Sequence, residues 1–189
     1  MPYSNSKVAL ILILLTLLAG CTLIFLVRRP SKTKAQETSD LVWYFAYGSN
    51  MDEERFRIKR GIEPVNSTIA MLRDYKLLFN KKSKYKNCSY ANIVPEKGSV
   101  VYGVLYLISR SDLEKLDLYE GYPTEYYRIE LTVETLNGSY VMAWTYIANR
   151  TKEDLKPCEG YVNIIVRGAR RFGLPEDYIN YIIEAANKP

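Results

Sequence analysis

Histidine is absent from all 189 residues. That absence excludes Ser-His-Asp and Cys-His nucleophilic catalysis and the imidazole-based metal sites. Cysteine is scarce: Cys21, Cys88 and Cys158 show no CxxC spacing, so neither a zinc motif nor a dithiol redox motif is supported. Cys21 falls in a hydrophobic run, which leaves Cys88 and Cys158 as the pair that could bridge within a folded domain. Two buried free thiols are the expectation. Low-complexity tracts and internal repeats are also missing. A strong excess of one charge is missing too, because the net +5 is unevenly spread. Residues 1–40 hold Lys7, Arg28, Arg29, Lys32 and Lys34 against Glu37 and Asp40, leaving only +2 over the other 149. Most of the basic excess therefore sits beside the hydrophobic run, where membrane topology accounts for it and no nucleic-acid partner is implied. Pairs such as Lys81-Lys82 and Arg170-Arg171 read as solvated surface.

The hydrophobic run is residues 8–27, VALILILLTLLAGCTLIFLV, without a charge. At 1.5 Å per residue it spans roughly 30 Å, the thickness of a bilayer's hydrocarbon core. Leu18-Ala19-Gly20-Cys21 resembles a bacterial lipobox, but the residues after it stay apolar, as they also do after any signal-peptide cut. One uncleaved single-pass anchor over residues 1–29 is the expectation, followed by a polar linker at 30–40 and a folded domain at 41–189. The cations after the run favour a cytoplasmic domain. Four Asn-x-Ser/Thr sequons, at Asn66, Asn87, Asn137 and Asn149, argue for the opposite side.

Within the domain, residues 41–47 (LVWYFAY) read as a central strand, apolar on both faces. A Gly48-Ser49-Asn50 turn follows, then a charged helical stretch over 52–60. Strand patterns recur within 67–80 and over 100–108, 129–135 and 140–148, the last two joined by the Asn137-Gly138 hairpin signal. Ser111-x-x-Glu114 reads as a capping box opening a short helix. Residues 160–172 and 175–186 read as two further helices, separated by a Gly173 stop and a Pro175 start. The class is α+β, a curved mixed β-sheet or small barrel with helices packed on it.

Two places could carry chemistry. The turn after the buried first strand presents successive backbone N–H groups, suited to a carboxylate or an oxyanion. Glu120, in Leu116-Asp117-Leu118-Tyr119-Glu120-Gly121-Tyr122-Pro123, ends a helix among aromatic and aliphatic residues. A carboxylate so placed is partly desolvated and suited to moving a proton near neutral pH.

Together and in this order, Tyr44-Phe45-Ala46-Tyr47-Gly48-Ser49-Asn50-Met51 and the Glu120-Gly121 pair resemble the signature of the γ-glutamylcyclotransferase-like (AIG2-like) family. The stretch 161–178, with Gly168-Ala169 and Gly173-Leu174-Pro175, is similar to the end of γ-glutamylcyclotransferase proper. The resemblance implies that Tyr44, Phe45, Ala46, Tyr47, Gly48, Ser49 and Asn50 hold a γ-glutamyl group, largely through backbone amides. It implies Glu120 as the catalytic acid/base, and Tyr127 and Tyr161 as pocket walls, with the adjacent Tyr126 an alternative to Tyr127. The implied reaction uses no cofactor and no metal. The substrate's own α-amine attacks its γ-carbonyl, closing 5-oxoproline and releasing an amino acid, with proximity supplying the nucleophile. A sibling chemistry on γ-glutamyl-lysine-type amides shares these residues. A non-catalytic, membrane-tethered binding module is a further alternative, one expected to have lost Glu120.

Overall fold

The computed structural model describes residues 40–188. The anchor expected over residues 1–29 and most of the polar linker lie outside the described residues. Among those described, no helix is long and apolar enough to cross a membrane.

Five strands close into a barrel: β1 (Leu41–Ala46), β2 (Asn66–Lys82), β3 (Ser89–Ser109), β4 (Tyr126–Thr135) and β5 (Tyr140–Ala148), ordered β1-β3-β2-β4-β5. β1 is central, as its two-sided apolar pattern requires: it pairs antiparallel with β3 along its whole length and parallel with β5 at Tyr44 and Trp144. The remaining pairings are antiparallel, and β4 and β5 meet across the hairpin in which Gly138 takes a positive φ of 84°. Closure leaves no free sheet edge between β1 and β5 and buries Phe45, Leu105, Val133 and Ala143.

β3 is longer than its apolar core at 100–108 suggests, because Pro95 and Gly98 read as turn residues. They sit opposite a bulge in β2, where the register shifts between Arg73 and Tyr75 and Asp74 adopts φ 60°. The Asp74 carboxylate accepts from the Gly98 amide at 2.8 Å. A broken ladder tolerates proline's missing N–H, and the bulge bends the long hairpin.

Three α-helices occur among the described residues: α1 (Arg110–Glu120) between β3 and β4, and α2 (Tyr161–Phe172) and α3 (Glu176–Asn187) after β5. α1 begins two residues before the expected box: Ser109 is its cap, accepting from the Asp112 amide at 3.0 Å while its hydroxyl donates to the Asp112 carboxylate at 2.7 Å. Helices α2 and α3 meet and pack outside the barrel, where Tyr178 lies 5.1 Å from Tyr102 of β3 and Tyr181 donates to the Leu77 carbonyl of β2. The charged stretch after β1 is not one α-helix. A 3-10 turn (Ser49–Met51) precedes it, and the stretch itself forms a short π-helical turn (Glu54–Lys59), closed by the Arg60 amide on the Arg55 carbonyl at 3.0 Å.

Two expectations fail here. Cys88 and Cys158 form a disulfide, with 2.00 Å between the sulfurs, instead of two free thiols. The backbone brings them together, since the Ser89 amide donates to the Lys156 carbonyl and the Ser89 carbonyl accepts from the Cys158 amide, each at 2.9 Å. Lys81 is not solvated surface: it is buried, and its ammonium ion-pairs with Glu125 at 2.6 Å.

Candidate active site

The strand β1 ends at Ala46, and the chain turns through Gly48-Ser49-Asn50 under the end of α1. The turn's first internal hydrogen bond runs from the Met51 amide to the Gly48 carbonyl at 3.0 Å. The amides of Ser49 and Asn50 precede it and lie outside the turn's own ladder. Helix α2 holds the turn from behind. A Cβ on Gly168 would come within 2.5–2.7 Å of the Met51 and Asp52 backbone, so only glycine permits this approach. An ion pair adds to it: the Arg167 guanidinium donates twice to the buried Asp52 carboxylate, at 2.6 and 2.8 Å. That bond holds the Asp52 pKa below its ordinary value.

Glu120 is the last residue of α1. Gly121 caps the helix in the left-handed region, with φ 67°, and its amide returns to the Asp117 carbonyl. The Glu-Gly pair is thus a helix end that aims a carboxylate. Glu120 Oε1 accepts from Asn50 Nδ2 at 3.0 Å and lies 3.6 Å from the Arg60 guanidinium. The same Asn50 nitrogen donates to the Tyr44 hydroxyl at 2.9 Å, and Asn50 Oδ1 accepts from Arg60 Nε at 3.4 Å. Asn50 therefore links the turn, the strand and the helix end. No group among the described residues hydrogen-bonds Glu120 Oε2. Arg60 is itself half-enclosed, its guanidinium 4.2 Å over the Tyr119 ring. Burial lowers its pKa, and the Glu120 charge opposes that shift.

Around this carboxylate lies a small recess of about 30 Å³, walled by Tyr44, Tyr47, Tyr126, Tyr146 and Tyr161 together with the turn. The hydroxyls are pinned. Tyr47 donates to the Tyr146 carbonyl at 2.6 Å and Tyr126 to the Ala91 carbonyl at 2.9 Å, while Tyr161 accepts from the Ala91 amide at 3.4 Å. Burial raises the pKa of Tyr44, Tyr47, Tyr126, Tyr146 and Tyr161, with the nearby Glu120 charge reinforcing it, so these phenols stay neutral donors and acceptors. The recess opens into a cavity of about 400 Å³ that shares Ser49, Glu120, Tyr126 and Tyr161 with it.

Of the residues expected at the site, Tyr44, Tyr47, Gly48, Ser49, Asn50, Glu120 and Tyr161 converge on the recess. Phe45 and Ala46 do not line it. Both are buried in the core, and the Phe45 carbonyl is taken by the Thr145 hydroxyl at 2.9 Å. Tyr127 is a correction: its side chain lies on the outer face of β4, 36% exposed, and Tyr126 faces inward instead. Alternation along a strand makes a one-residue offset a change of face. Sequence reasoning did not find Arg60, Tyr146 or Ala91. Arg60 carried a signal, as the last cation of a charged stretch directly after the turn. Ala91 acts through its backbone and carried none.

The family model described as gamma-glutamyl cyclotransferase, AIG2-like, matches residues 44–162. Gamma-glutamylcyclotransferase of Bos taurus is 35% identical over 140 residues, covering 71% of this chain and 73% of that protein. The Homo sapiens gamma-glutamylcyclotransferase is 34% identical over the same shares. A solved structure described as a gamma-glutamyl cyclotransferase is similar with a TM-score of 0.70 at 29% identity, over 79% of this chain and 89% of its own. YkqA of Bacillus subtilis is similar at 0.69 and 28% identity, over 82% of this chain and 58% of its own. The matched segment holds both the turn and Glu120, and with these relatives it establishes that the chain belongs to the AIG2-like γ-glutamylcyclotransferase family and is an enzyme of that kind.

Proposed function

We propose that the chain converts a γ-glutamyl amino acid or dipeptide to 5-oxoproline and the free amino acid or shortened peptide, with Glu120 as general acid/base. The observation that carries this reading is the Asn50 bridge, which sets the Glu120 carboxylate at 3.0 Å from a residue of the turn whose neighbouring amides are free of its ladder. The γ-glutamyl group occupies the tyrosine-walled recess. Its α-ammonium gives one proton to Glu120, and the freed amine attacks the γ-carbonyl carbon. A C–N bond forms, and the tetrahedral oxygen takes up negative charge near the Ser49 and Asn50 amides. The bond to the leaving nitrogen then breaks as Glu120 returns a proton to it, while the ring nitrogen gives up its second proton to solvent and the released amine takes one up. No net proton is consumed and no redox step occurs. Neutral tyrosines suit this recess, because they orient the substrate without competing for the proton. Ring closure within one bound molecule leaves the protein the task of holding a cyclisable conformer. The N-terminal run read from the sequence would place this activity at a membrane.

The test is 5-oxoproline release by the full-length protein from a panel of γ-glutamyl dipeptides and γ-glutamyl-lysine, followed by mass spectrometry. Glu120→Gln is expected to lower turnover by roughly 10²–10⁴-fold, the range for a positioned acid/base, with the melting temperature little changed. Activity retained within a few-fold would remove Glu120 from this role.

A further inference from the structure

The cavity outside the recess is walled by four cations, Arg55, Arg60, Lys81 and Lys84, against two carboxylates, Glu120 and Glu125. Two of the cations are already matched. Arg60 faces Glu120 at 3.6 Å, and Lys81 pairs with Glu125 at 2.6 Å. Lys84 is exposed and lies over the Tyr85 ring. Arg55 differs from all three. It is half-buried, no carboxylate among the described residues lies within ion-pair distance of it, and its Nε is buried with no hydrogen-bond acceptor. An orphaned, buried N–H of a charged side chain is costly unless a ligand satisfies it. The π-helical turn explains the placement. Its Arg60 N–H to Arg55 C=O bond widens the turn, so that positions five apart both reach the same cavity.

Arg55 also sits at the junction of the two spaces. Burial raises the pKa of the Tyr161 hydroxyl and the nearby Arg55 charge partly opposes that rise; Tyr161 lines both the recess and the outer cavity, whereas Arg55 lines only the outer one. Among the described residues, no cation lines the recess that takes the γ-glutamyl group. A leaving residue emerging past Glu120 enters a space with two more cations than carboxylates and an unpaired fork-shaped donor. The guanidinium geometry matches a carboxylate in a bidentate way that an amine or amide leaving group cannot use.

From this we infer that Arg55 is the receptor for the free carboxylate of the leaving amino acid, and that the enzyme selects γ-glutamyl-α-amino acids over γ-glutamyl amines and amides. The inference rests on the reaction proposed above and adds its specificity determinant. Arg55 binds substrate and takes no part in proton transfer.

The experiment compares γ-glutamyl-alanine with γ-glutamyl-alaninamide, which differ only in the charge of the leaving group. The full-length enzyme is expected to prefer the acid in kcat/KM by about 10–100-fold, the value of a charge-assisted hydrogen bond. Arg55→Gln should reduce that preference to within about two-fold, mostly through KM, and Arg55→Lys should restore part of it. Equal wild-type turnover of acid and amide overturns the inference and leaves the reaction standing. An Arg55→Gln enzyme that keeps the full preference overturns it as well. So does one that loses both substrates in the same proportion while melting like the wild type, because that would place Arg55 against the γ-glutamyl group. No 5-oxoproline from either substrate with wild-type protein would overturn the proposed reaction itself, and this inference with it.

Discussion

Asn50 and Glu120 stand 70 positions apart in the chain and 3.0 Å apart in the fold, and the site is organised around that contact. Both residues were legible in the sequence because each belongs to a local motif: a turn after an apolar strand, and a carboxylate before a helix-ending glycine. The aromatic wall was legible only in composition, since 17 tyrosines announce that some must be buried but not which. Tyr126 and Tyr127 show why. Adjacent tyrosines at a strand start look equivalent in sequence, and only the register of β4 against β5 decides which one points inward. Tyr126→Phe removes the hydroxyl bonded to the Ala91 carbonyl and is expected to lower kcat/KM by about 10-fold, consistent with the loss of one buried hydrogen bond. Tyr127→Phe should stay within about two-fold, the scale of a surface change. Parallel steady-state kinetics of the two variants check this, and the reverse order would put Tyr127 back at the site.

Helix α2 acts on the site without supplying more than Tyr161 to its wall. Its Gly168 was visible as part of a Gly-Ala pair, but the reason for it was not, because the backbone it touches belongs to the turn more than 100 residues earlier. Gly168→Ala should force the helix and the turn apart, costing about 1–3 kcal/mol as an overpacked contact, and should lower kcat along with stability. Thermal melts and turnover measured on one preparation would check it, and a variant stable and active as wild type would show that the turn can shift. The neighbouring Asp52–Arg167 pair supplies a pH signature. Its native pKa is depressed below 3.8, mainly by the Arg167 hydrogen bonds, so the pair stabilises fully above that ordinary value. The contribution disappears as pH falls through the lower native value. Arg167→Gln should therefore melt below wild type at neutral pH, with the gap closing in acid; a constant gap from pH 7 to pH 2 would discount the linkage. The charged stretch after the turn shows the opposite limit of legibility. Its composition suits an α-helix, yet tight packing of Phe56 between Tyr44 and Tyr106 accompanies a π-helical turn instead.

At the scale of the molecule, the Cys88–Cys158 bond ties the start of β3 to the segment entering α2, closing a loop with a sequence separation of 70. A loop of this length lowers the entropy of the unfolded chain by an amount worth about 4 kcal/mol in the chain-entropy account. Reductant, or Cys88→Ser with Cys158→Ser, is accordingly expected to lower the denaturation midpoint clearly; an unchanged midpoint would show that the backbone pairing alone holds the segment. By itself, the sequence determined the family, the α+β class, the central first strand, the last two helices and the two motifs that meet at the site, because each is encoded in neighbouring residues through periodicity, turn chemistry or capping. Only the tertiary structure decided that the sheet closes into a barrel, that the cysteines bond, that Lys81 is buried, which tyrosine faces the recess, and that the Arg55 Nε has no acceptor among the described residues. Those outcomes depend on register and on contacts between distant segments, and a linear pattern carries neither.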